Sequence, residues 1–114
     1  MKRLFLLLIF VAPFASAQTV RLALDWVPNT NHTGVYVALA NGWYDEAGVD
    51  LQILPYGSVS PEALVANGQA EVGVSSTEGV LGAAAAGEPV VSVAAVLSTN
   101  TAGLAVLESS GVTR

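Results

Sequence analysis

The sequence contains no cysteine, one histidine and only four Lys and Arg among its 114 residues. The absence of cysteine excludes a disulfide scaffold, a thiolate zinc site, an iron–sulfur cluster and a Cys nucleophile. A lone His32 cannot make a His-based metal cluster or an HExxH protease, so no metal site is expected. Nine acidic residues give a net charge of −5, and no clustered cations exist to neutralise the phosphates of a nucleic acid. Charged residues make up only 11% of the chain and hydrophobic ones 53%. Apolar sequence is what is plentiful, and its arrangement carries the reading. The length suits one small domain.

The first apolar run, residues 4–11, follows Lys2 and Arg3 and leads to Ala15-Ser16-Ala17. Basic, apolar and then small residues form the pattern of a cleavable export signal over residues 1–17, with cleavage expected between Ala17 and Gln18. The apolar stretch of 14 residues, 4–17, is shorter than the roughly 20 that a membrane-spanning helix needs. No cysteine follows it, so lipid attachment of the bacterial lipoprotein kind is excluded. The expected product is a soluble periplasmic protein of residues 18–114. Loss of Lys2 and Arg3 takes its net charge from −5 to −7 and leaves Arg21 and Arg114 as the strong cations.

Beyond the signal, strand and helix periods alternate. Residues 20–24 alternate as a strand and run into a polar loop, 25–33. From Gly34, apolar residues at 35, 38, 39, 42 and 43 share a helical face, which assigns Trp43 and Tyr44 to packing. Asn31 or Thr33 can cap that helix, and Gly48 can stop it. Residues 49–54 read as a second strand, closed by Pro55 and Gly57. Ser60-Pro61-Glu62 combines a capping hydroxyl, Pro at the first helical position and an acid in the first turn, and Asn67-Gly68 ends that helix. A third strand is expected at 71–75, then a helix from Thr77 to Ala86 stopped by Gly87 and Pro89. The β-branched run at 90–97 reads as a strand buried on both faces, and 104–107 as a last strand. The order βαβαβαββ predicts an α/β fold with a mainly parallel sheet and right-handed crossovers. A membrane helix over 79–97 is the rival reading, but Gly87-Glu88-Pro89 interrupts it.

Ligands of open parallel sheets bind outside the carboxyl ends of the strands. Three polar loops fall there: residues 25–34, 75–78 and 98–103. They offer Trp26 as a stacking surface, Asn29, Asn31, His32, Ser75 and Asn100 for hydrogen bonds, and Glu78 as an acceptor. Such a set suits a small, planar, hydrogen-bonding molecule. Each residue also has a structural role open to it: the asparagines as caps, His32 as an ordinary hydrogen-bonded side chain, Trp26 as core. Catalytic motifs do not survive inspection. Gly73-Val74-Ser75-Ser76-Thr77 approaches GxSxG but has Thr77 for the second glycine. Gly82 and Gly87 have P-loop spacing, but Glu88-Pro89 stands where Lys-Ser/Thr is required.

Leu24-Asp25-Trp26-Val27-Pro28-Asn29-Thr30-Asn31-His32-Thr33-Gly34, followed by Tyr36-Val37-Ala38 and Gly42-Trp43-Tyr44, resembles the opening of NMT1/THI5-like substrate-binding proteins. Within that group it is most similar to those serving importers of the formylaminopyrimidine precursor of thiamine. The likeness continues through 68–75, 89–96 and 100–103. It implies a periplasmic binding protein type II fold, of which residues 18–114 would form most of the first lobe. It also implies an aminopyrimidine-like ligand and an ABC permease in the inner membrane as partner. The same group contains the thiamine pyrimidine synthases. The resemblance implies for those enzymes a Lys that holds pyridoxal phosphate and a His that donates atoms to the product. Those positions are Ser75 and Gly79 here, which leads to the expectation of a non-enzymatic protein without a cofactor. Ser76 stands where the pyrimidine binders tend to have Tyr, so binders of riboflavin, sulfonate or nitrate remain alternatives. An anion would want an Arg or a bare helix N-terminus, and with only Arg21 nearby it ranks below a neutral heterocycle.

Overall fold

The computed structural model describes residues 17–99 and 105–111. The expected export signal, except Ala17, lies outside the described residues, and so does Asn100. The fold is mixed α/β, a small parallel sheet flanked by helices, in the manner of part of a type II binding-protein lobe. In chain order come β1 (Gln18–Ala23), a 3-10 turn (Thr30–His32), α1 (Thr33–Ala40), α2 (Trp43–Glu46) and β2 (Val49–Leu54). They are followed by α3 (Pro61–Ala66), β3 (Val72–Gly73), α4 (Thr77–Ala85) and a second 3-10 turn (Glu108–Ser110).

β1 is the central strand, in the order β2-β1-β3, and both pairings are parallel. Its register with β2 runs from Gln18 opposite Val49 to Ala23 opposite Leu54, whereas β3 contributes only Val72 and Gly73 to the ladder. The buried apolar residues Leu22, Ala23, Leu24 and Ala70 gather where β1 meets β3. A parallel pair requires a crossover, and both crossovers are helical, as strands separated by helical periods lead one to expect.

Local signals explain the helix ends. The Ala63 N–H donates to Ser60 Oγ at 3.2 Å, with Pro61 at the first helical position, and Asn67 closes α3 before Gly68 turns at φ +68°. α4 is capped by Ser76, not Thr77: the Gly79 N–H donates to Ser76 Oγ at 3.1 Å. Gly42, at φ +73°, breaks the expected single helix into α1 and α2. That break turns Trp43 outward: the residue is 55% exposed, so its assignment to packing is corrected. Tyr44 remains half-buried.

The expected strands at 90–97 and 104–107 do not form among the described residues. Both edges of β1 are already taken, and two-residue β3 offers too short a ladder for another strand. Val91 and Val93 stand 82% and 84% exposed, the opposite of a run buried on both faces. β-branched residues favour a pleated, covered surface, but the preference needs a partner strand to act on. α4 ends at Ala85 and Gly87 follows at φ +82°, so 79–97 is not one helix. No helix of the described residues is long and apolar enough to cross a membrane.

Arg21 ties β1 to the start of β3. Its Nη2 lies 2.5 Å from Glu71 Oε1 and donates to the Gly68 carbonyl at 2.8 Å, and the Arg21 backbone N–H donates to Glu71 Oε2 at 2.7 Å. Hydrogen bonds from the guanidinium and then from the Arg21 N–H hold the Glu71 carboxyl down, at about 2. A depressed carboxyl stabilises the fold above its unfolded value, and that contribution is lost as pH falls through the folded value. The thermal midpoint is therefore expected to fall between about pH 4.5 and pH 2. Glu71→Gln should flatten that fall, as followed by circular dichroism melts at constant ionic strength. Unchanged acid sensitivity in the variant would remove the pair from this role.

Candidate functional site

An open groove of about 1070 Å3 runs along one face of the sheet to the carboxyl ends of the strands. Its floor is apolar, with Val20, Leu22, Val49 and Leu51 from β1 and β2. Its polar lining comes from Asp25, Asn31, Ser75, Ser76, Thr77 and Glu78, with Ser98 and Thr99. The loops after β1 and β3 thus reach one groove, because parallel strands deliver their following loops to the same end, and residues 98–99 of the third polar segment line it without a strand before them.

Within the first loop the side chains divide into two sets. His32 is 1% exposed, the largest fully buried side chain among those described. Its Nε2 lies 2.8 Å from Asp25 Oδ1, and its Nδ1 accepts the Asn29 N–H at 3.2 Å. An acceptor at Nδ1 leaves the proton on Nε2, which donates it to Asp25. Asn29 also serves the loop: Oδ1 accepts the Asn31 N–H at 2.8 Å and Nδ2 donates to the Val27 carbonyl at 3.0 Å. Both ring nitrogens of buried His32 are thus committed to holding residues 25–32, while exposed Asn29 holds the loop and keeps a second N–H on Nδ2. Asn31 is exposed and lines the groove.

Trp26 stands 57% exposed at the same end of the sheet. Its ring centroid is 5.1 Å from that of Tyr56, with the planes at 46°. Neither ring is among the residues lining the groove, although Trp26 follows the groove-lining Asp25 in the chain. Tyr56 is absent from the sequence-based set. The signal for it was available: Tyr56 comes two residues after Leu54, which pairs with Ala23, so it leaves the sheet beside Trp26.

In the second loop, Ser75 Oγ donates to Glu62 Oε1, and its contact with the Ser76 carbonyl is 3.2 Å. Burial raises the Glu62 carboxyl, but hydroxyl and chain donors outweigh it, Ser75 foremost, and hold it below its ordinary value. A Cβ at Gly79 would run into Glu62 Oε1 and lie 2.8 Å from Ser75 Oγ, so glycine is what lets α4 sit over this pair. Glu78 is exposed at the groove.

The model of the family described as NMT1/THI5 like matches residues 29–114. The chain belongs to this family. It is 41% identical over 81 residues to a formylaminopyrimidine-binding protein of Halalkalibacterium halodurans, covering 70% of this chain and 24% of that protein. It is 31% identical over 99 residues to the 4-amino-5-hydroxymethyl-2-methylpyrimidine phosphate synthase THI5 of Saccharomyces cerevisiae, covering 86% of this chain and 29% of the synthase. A synthase of the same name from Legionella pneumophila is 35% identical over 94 residues, covering 82% and 30%. The chain thus spans between 24% and 30% of the length of these relatives.

These names correct two expectations. Most of the relatives, from yeasts and from a bacterium, are named as pyrimidine phosphate synthases. The expectation of a non-enzymatic protein, and the emphasis on a transporter's substrate-binding component, are overturned by that predominance. Ser75 and Gly79 bear on a narrower point. A hydroxyl cannot form a Schiff base, Lys2 is the chain's only lysine, and Arg21 is already paired with Glu71. The described residues therefore do not fit pyridoxal phosphate. That concerns one group in one part of the protein and does not exclude activity.

Proposed function

We propose that the chain supplies one wall of a site for a 4-aminopyrimidine and that the protein takes part in forming this ring, as the names of its synthase relatives imply. The convergence of Asp25, Asn31, Ser75 and Glu78 on one groove carries the reading. Those groups are hydroxyl, amide and carboxylate, suited to ring nitrogens and an exocyclic amine, while Trp26 and Tyr56 offer an aromatic face. Arg21, the one Lys or Arg among the described residues, is neutralised by Glu71, which favours a neutral ring over a sulfonate or nitrate. A host unable to make the thiamine pyrimidine tests the activity: expression of the protein should restore growth without added pyrimidine. No growth, together with no calorimetric binding of 4-amino-5-hydroxymethyl-2-methylpyrimidine, would overturn both parts.

A second reading, retention of the pyrimidine without chemistry, is favoured by the 41% identity to a formylaminopyrimidine-binding protein. Export through residues 1–17 would accord with it. Binding without restored growth would select it.

A further inference from the structure

The hydroxyl of Ser75 sits between two acceptors. Glu62 Oε1 takes its hydrogen bond, and its other close polar neighbour, at 3.2 Å, is the Ser76 carbonyl oxygen. A serine hydroxyl has one proton and two lone pairs. With that proton committed to a carboxylate, only lone pairs are left to offer a ligand, and Ser75 lines the groove. Glu62 itself is not among the groove's lining residues; it lines a smaller cavity of about 270 Å3 behind Ser75.

We propose that Glu62 is a positioning residue that sets the polarity of the site: by holding the Ser75 proton, it makes Ser75 accept from a ligand N–H and reject a ligand carbonyl. The inference rests on the proposed pyrimidine site and deepens it. It makes an amino-substituted ring the favoured class over the oxo-substituted one. An oxo group facing Ser75 would put lone pairs against lone pairs and leave two acceptors unpaired. Sites built to pair with a particular donor discriminate strongly against analogues that lack it. Gly79 belongs to the same device, since any side chain there would displace the Glu62 carboxylate, the mobile end of a flexible chain, before it disturbed the backbone.

Calorimetry on the full chain provides the test, with two probes: 4-amino-5-hydroxymethyl-2-methylpyrimidine and its 4-oxo counterpart. The native protein is expected to prefer the amino ring by about tenfold or more, the scale of one hydrogen bond to a charged-side network. In Glu62→Gln the amide can donate to Ser75 Oγ and release its proton, so the preference should shrink to within about threefold. Gly79→Ala crowds the Glu62 carboxylate and Ser75 Oγ alike and should also shrink the preference, and circular dichroism reports whether each variant is folded. A preference unchanged in both variants, or both probes weakened equally, would overturn the role of Glu62. Native protein that binds the two probes alike would overturn this inference and leave the pyrimidine site standing. Native protein that binds neither would remove the pyrimidine reading itself, and this inference with it.

Discussion

Replacing His32 with alanine is expected to destabilise the fold by about 2–4 kcal/mol, read from urea denaturation midpoints. Two costs combine. The imidazole is 1% exposed, so its removal leaves a cavity under the first loop. Its two hydrogen bonds also go, to Asp25 Oδ1 at 2.8 Å and from the Asn29 N–H at 3.2 Å. Asp25 is 39% exposed at the side chain and can turn to water, so the part-buried Asn29 N–H bears more of the polar loss. His32→Phe separates the contributions, since it restores volume but neither hydrogen bond; it should recover roughly half of the loss. A change below about 0.5 kcal/mol in the alanine variant would show that His32 does not pin the loop. Because the same bonds set the path of residues 25–32, pyrimidine affinity should fall in both variants.

The parts of the fold that were legible in the sequence are those specified by neighbours in the chain. Ser60-Pro61-Glu62 announced α3 because a cap, a fixed φ and a favourable charge all lie within three residues. The alternation at 20–24 and 49–54 revealed β1 and β2. What depended on a distant partner was not legible. Residues 90–97 have a strand's composition, yet a strand exists only where a ladder is offered, and β3 provides two residues. Trp43 continues a helical stripe on paper, but Gly42 interrupts the helix and the stripe with it.

The site divides along the same line. The loops after β1 and β3 were found because strand ends point the same way in a parallel sheet, whereas residues 98–99 reach the groove without the strand expected before them. The division of labour within the first loop was not found, although Asn29 and His32 stand three apart, the spacing of a reciprocal cap, and the structure uses them so. Tyr56 lies 30 residues from Trp26 and becomes its neighbour only through the β1–β2 register. Nor does composition reveal that Glu62 meets Ser75. α3 and β3 must first be packed together, and they meet so closely that a Cβ at Gly73 would come within 2.9 Å of Pro61 Cβ.

Trp26→Ala should show the reverse profile of the His32 variant: a large loss of affinity with little loss of stability. The indole is 57% exposed and its described ring partner is Tyr56, itself 41% exposed. A tilted pair at 5.1 Å between two such exposed rings adds little to the fold, so the urea midpoint should move by less than about 0.5 kcal/mol. Stacking of a heterocycle on an aromatic face is worth about 1–3 kcal/mol, roughly five- to 150-fold in affinity. Titration calorimetry with 4-amino-5-hydroxymethyl-2-methylpyrimidine should therefore show at least about a fivefold weakening in Trp26→Ala. Tyr56→Phe should bind as the native protein does, because it keeps the ring, whereas Tyr56→Ala should weaken binding by a smaller factor through loss of support for the indole. Full affinity in Trp26→Ala would move the ring-binding surface away from Trp26 and into the groove, where the hydroxyl and amide groups alone would have to hold the ligand.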